Sequence, residues 1–85
     1  MSENTITIDV STFYAEQGQA KLSLLKDYED ACLGLAGKGT EVVLTGPGPV
    51  WLYLRLAHTL HGKARSLFYD SPVTGKVEIF NHNPF

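Results

Sequence analysis

The chain has little with which to build cross-links. Its single cysteine, Cys32, excludes an internal disulfide and any multi-cysteine zinc site, and it suits a reducing compartment. No apolar run approaches the ~18 residues that cross a bilayer. The first residues, MSENTITIDV, lack the basic and apolar blocks of a signal peptide, so a cytoplasmic location with no membrane partner is the expectation. Basic residues are scarce too: seven Lys and Arg against nine Asp and Glu give a net charge of −2. That balance lacks the bulk positive field of a duplex-DNA binder, while leaving room for a small ligand held by a few local cations. Internal repeats and low-complexity stretches are absent.

What remains is an ordinary globular composition, 44% hydrophobic and 19% charged over 85 residues. A single domain over 1–85 follows, small enough that association with a second copy is a reasonable expectation. Thr5–Val10 alternates apolar and polar residues and reads as a half-buried strand. Over Ser11–Gly18 the pattern is mixed: Phe13 and Tyr14 can add a further short strand before Gly18 breaks the chain. Ala20–Ala36 has an amphipathic helical pattern, with Leu24, Leu25, Tyr28, Ala31, Cys32 and Leu35 on one face. Gly34, Gly37 and Gly39 then end it. Glu41–Leu44 is a buried strand, and Pro49–His61 is a helix opened by proline and closed by Gly62. Arg65–Tyr69 and Lys76–Phe80 are strands joined by the turn sequence Asp70-Ser71-Pro72-Val73-Thr74-Gly75. Asn81–Phe85 reads as irregular.

The order is β-α-β-α-β-β, which predicts an α/β sandwich with two helices on one face of a four- or five-stranded sheet. The other face then needs cover, and a second copy is its simplest source. On a helical wheel of Pro49–His61, Leu52, Tyr53, Leu56 and Leu60 fall on the core side; Trp51, Arg55, His58 and His61 share the other. Parallel right-handed crossovers fix the heights. Gly46, Gly48, Trp51 and Asp70 cluster at one end of the domain, His61 and His82 at the opposite end. Strands of this length separate Asp70 from His61 by roughly 15–20 Å. The two residues can serve one reaction only if the site forms between molecules.

The stretch Gly46-Pro47-Gly48-Pro49 before a helix suggests an anion cradle, but its prolines remove two amide donors and no Gly-Lys-Ser/Thr follows. A plain tight turn and a ligand contact both remain open on motif grounds. His58 and His61, spaced i and i+3 with His82 nearby, permit a metal, yet the His-Glu-x-x-His signature is missing and surface histidines are common. No resident metal site is assigned. Asp70 at a turn start serves the backbone as readily as chemistry. Cys32 falls on a core face and reads as inert.

The order Thr45-Gly46-Pro47-Gly48-Pro49-Val50-Trp51-Leu52, then Leu56-Ala57-His58, His61, Phe68-Tyr69-Asp70, Gly75 and His82 resembles the CRISPR-associated ring nucleases of type III systems. The likeness spans Val42–His82, about half the chain. It is closest to the small ferredoxin-like family whose members dimerise, stack head to tail and degrade cyclic tetra-adenylate. The resemblance implies a ferredoxin-like sandwich, a catalytic pair in His61 and Asp70, and ligand contacts from Thr45, Gly46, Gly48, Trp51, Tyr69 and His82. It also implies a homodimer able to stack into tetramers or filaments, and a divalent ion such as manganese near Asp70. The chain departs from the family at two cations. Ser71-Pro72-Val73 replaces the usual Pro-Arg after Tyr-Asp, and Pro47 stands where an Arg is expected. Arg55, Lys63 and Arg65 are the substitutes at hand. A protein that holds the ring without cutting it, and a dimerisation domain that binds no nucleotide, are the rival expectations.

Overall fold

A computed structural model describes residues 5–82. Strand β1 (Thr5–Asp9) leads through two short 3-10 segments into helix α1 (Leu25–Ala36). Strand β2 (Glu41–Thr45), helix α2 (Val50–Leu60), strand β3 (Ser66–Ser71) and strand β4 (Gly75–Asn81) follow. The four strands lie in the order β1-β2-β3-β4. β1, β2 and β3 are parallel, with Ile8 level with Leu44 and Leu44 level with Tyr69. β4 returns antiparallel to β3. Two right-handed crossovers that step the same way across a sheet put both helices on the same face. The result is an α/β, ferredoxin-like arrangement of two helices on a four-stranded sheet.

The core fills the space between the layers. Val42, Leu52, Leu56, Leu60, Leu67 and Cys32 have no exposed surface. The Leu52-Leu56-Leu60 stripe is the i, i+4, i+8 face predicted for the second helix. The helices are clipped together by Glu29, whose Oε2 accepts from Thr59 Oγ1 at 2.6 Å and lies 3.4 Å from Arg55 Nη2. Burial pushes the Cys32 thiol up to about 11, in keeping with an inert core cysteine.

Several local expectations are corrected. Residues 10–14 form a 3-10 turn, not a fifth strand, because Asp9 caps them: its carboxylate accepts from the Ser11 amide, and its carbonyl accepts from Thr12 Oγ1. The first helix begins at Leu25 rather than Ala20, and its buried stripe is Leu25, Tyr28, Cys32 and Ala36. Leu35 is consequently exposed. Gly34 lies within that helix, and Gly37 ends it at φ +68°. Pro49 is the residue before α2 rather than its first turn. β4 continues through Asn81, while residues 83–85 of the expected irregular tail, and residues 1–4, lie outside the described residues. Among the described residues no helix is long and apolar enough to cross a membrane.

Candidate functional site

Parallel strands bring their carboxyl ends to one edge of a sheet, where the loops that follow are free to form a cleft. Here the ends of β2 and β3 and the turn into α2 enclose about 460 Å³ lined by Thr45, Gly46, Pro47, Gly48, Tyr53, Tyr69, Asp70 and Pro72. Five of the sequence-predicted residues, Thr45, Gly46, Gly48, Tyr69 and Asp70, thus meet in one place. Thr45 Oγ1 donates to the Asp70 carbonyl at 3.1 Å and ties the two strand ends together. The Asp70 carboxylate is half-buried and, among the described residues, has no hydrogen-bond or ion-pair partner.

The glycine-proline turn is held by groups the sequence pattern did not single out. Tyr53 donates its hydroxyl to the Gly46 carbonyl at 2.5 Å, and Tyr14 donates to the Pro47 carbonyl. Gly46 has φ +96°, and a Cβ there would lie 2.0 Å from Asp9 Oδ1; only glycine fits. At Gly48 a Cβ would come within 2.9 Å of Val10 Cγ2. Tyr53 and Tyr69 meet edge to face with ring centroids 4.9 Å apart. Burial, then Tyr69 and Asp9, push the Tyr53 phenol up to about 12. Burial and Asp9 likewise raise Tyr14. Both hydroxyls therefore stay protonated as donors. Trp51 is half-buried against the core and does not line the cleft.

At the opposite end His61 follows the last turn of α2, with its amide bonded to the carbonyls of Ala57 and His58. Its ring lies 5.0 Å from Phe80 and 4.8 Å from His82, both edge-on. The His82 amide donates to the Arg65 carbonyl at 2.8 Å, anchoring the residue at the foot of β3. Asp70 stands five residues up that strand, a rise of about 16 Å. His58 is exposed and takes no part in the aromatic group. Among the described residues, no three His, Cys, Asp or Glu side chains are placed to hold a metal ion.

The family model for CRISPR-associated protein (Cas_csx3) matches residues 33–85, more than half of the chain. The chain belongs to the Cas_csx3 family of CRISPR-associated proteins. The matched span holds the whole cleft apart from the outer support of Asp9, Val10 and Tyr14, and it includes both His61 and His82. Comparison with curated proteins returns no match, and neither does comparison with solved structures.

Proposed function

We propose that this Cas_csx3 protein binds cyclic tetra-adenylate in the Thr45–Asp70 cleft and cleaves it, switching off type III CRISPR signalling. The observation that carries the reading is the placement of the family's matched residues in two groups at opposite ends. Asp70 opens into a cleft, and His61 sits with His82 about 16 Å below. Such a division suits a site closed by a second molecule, as head-to-tail stacking of dimers provides.

In the cleft, the Gly48 amide and the Thr45 hydroxyl are the donors on offer to a phosphate, and Tyr69 offers a ring to an adenine. Cleavage requires the ribose 2′-hydroxyl to attack the adjacent phosphorus. A new P–O bond forms, the P–O5′ bond breaks, and a 2′,3′-cyclic phosphate and a free 5′-hydroxyl result. His61 from a second molecule serves as the acid or base at near-neutral pH, and Asp70 orients it. A divalent ion such as manganese would have Asp70 as its protein ligand, with phosphate oxygens completing the shell; when bound it would neutralise charge on the phosphate.

Incubation with cyclic tetra-adenylate, followed by chromatography, is expected to yield linear products. His61→Ala is expected to lose turnover, and unchanged turnover in that variant would refute the assignment. One observation favours a second reading, a sponge that holds the ring intact: no Lys or Arg lines the cleft. Recovery of intact ring together with a raised Tm would select it. A Tm unchanged by saturating ring would leave a dimerisation domain.

A further inference from the structure

Strand β4 forms one edge of the sheet, and its outer side pairs with nothing among the described residues. Gly75 through Ile79 are all exposed. Lys76 lies on the helix-free face, its Nζ 5.0 Å from the centre of the Phe68 ring. Glu78, level with Phe68, shares that face. Val77, level with Tyr69, points to the helix side. There a groove of about 190 Å³ runs between α2 and β4, lined almost wholly by apolar atoms that include Leu54, Ala57, Tyr69 and Ile79. Leu54 is 65% exposed, Ile79 48% and Val77 42%. A long exposed edge of this kind is a template for pairing unless it is guarded.

The charges on β4 select what pairs with it. In an antiparallel self-pairing centred on Val77, Lys76 of each copy faces Glu78 of the other, twice over, because the pair is two-fold symmetric. Centring on Lys76 puts lysine opposite lysine, and centring on Glu78 puts glutamate opposite glutamate. One register alone is therefore free of like charges at the axis. In that register the two Val77 side chains meet on the helix side, beside the Leu54–Ile79 groove. The bulge that leaves Ile79 without a partner on β3 bounds the regular stretch just beyond. The other edge, β1, offers no such match: Thr5 and Thr7 are uncharged, and Asp9 is spent on Ser11.

We propose that β4 pairs antiparallel with β4 of a second copy about Val77, joining two four-stranded sheets into one of eight. The pairing turns the second copy end for end. Its His61–His82 end then lies on the same side as the first copy's Asp70 cleft, with its β4 two strand spacings, about 10 Å, from the first copy's β3. The interface stands whether or not the cleft takes a nucleotide.

Sedimentation velocity on the full chain without nucleotide tests it. The natural sequence is expected to be dimeric at micromolar concentration. Lys76→Glu and Glu78→Lys are each expected to raise the dissociation constant about tenfold or more, since like charges then face each other. An equimolar mixture of the two variants restores opposite charges across the axis and is expected to dimerise; so is the double variant Lys76→Glu/Glu78→Lys. Circular dichroism on each variant confirms that these exposed substitutions leave the fold intact. A natural chain that stays monomeric at 100 µM, single variants that associate like it, or a mixture no tighter than its components would each overturn the proposal.

Discussion

Tyr53 donates its hydroxyl to the carbonyl of Gly46, seven residues back across the turn that begins its own helix. The bond closes a short loop of chain on itself and holds the floor of the cleft against α2. Replacing Tyr53 with Phe keeps the ring against Tyr69 but leaves the Gly46 carbonyl without this donor. A loss of about 1 kcal/mol follows, or roughly 4–8 °C in Tm for a domain of this size. Thermal denaturation followed by circular dichroism checks it. Tyr14→Phe, acting on the next carbonyl, is expected to behave alike.

At Gly46 the backbone and the space agree. Gly46→Ala must hold φ near +96° and push its Cβ into the Asp9 carboxylate. The expected destabilisation is about 2 kcal/mol or more. Combining it with Asp9→Ala removes the clash but not the strain, so the double variant recovers only part of the loss in a denaturant titration.

Alkaline titration reads the buried acids. In the folded chain the Cys32 thiol titrates near 11 against 9 for a free thiol, and the Tyr53 phenol near 12 against 10. Between those values the unfolded chain binds fewer protons than the folded one, so stability falls as pH rises. The loss is expected to begin near pH 9 for Cys32, to be joined by Tyr53 from pH 10, and to be absent at pH 7. Denaturant midpoints across pH 7–11 measure it, and Cys32→Ala removes the first part. At pH 8 the folded thiol is about one part in a thousand thiolate, so a disulfide reagent reacts only as fast as the chain opens.

Division of a site between molecules has a signature in mixtures. If Asp70 of one copy works with His61 of another, His61→Ala and Asp70→Asn are each inactive on cyclic tetra-adenylate. An equal mixture recovers activity, because some sites draw the intact residue from each partner. Random exchange gives half times half, about a quarter of the natural rate. A mixture as inactive as its parts would mean that the two residues do not cooperate across copies.

Much of this was legible in the sequence because periodicity reports burial. The Leu52-Leu56-Leu60 stripe and the β-branched run before Thr45 appear as expected. Topology alone set Thr45, Gly46, Gly48, Tyr69 and Asp70 at one end and His61 and His82 at the other. Tertiary contacts escaped the sequence. Phe13 and Tyr14 have strand-forming side chains, but one carboxylate at Asp9 turned them into a 3-10 segment. Tyr14 reaches a carbonyl 33 residues away, a distance no local pattern encodes. Tyr53 was assigned to the core from its ring, and its hydroxyl turned out to hold the cleft. The start of the first helix was misplaced because Leu22, which fits a helical pattern, packs on nothing and stays exposed.

The strand order, in which every strand lies beside its neighbour in sequence, also bears on how the chain acquires its shape. No pairing has to wait for a distant segment to return, so the sheet can grow outward from either side with modest loop-closure cost at each step. The β3–β4 hairpin needs only the short turn at Pro72–Thr74 and is the fastest contact to close, on the order of microseconds. The cleft is different, since its walls come from both β2 and β3. It exists only after the α2 crossover has docked, so a chain halted before that step carries an assembled hairpin and no binding site.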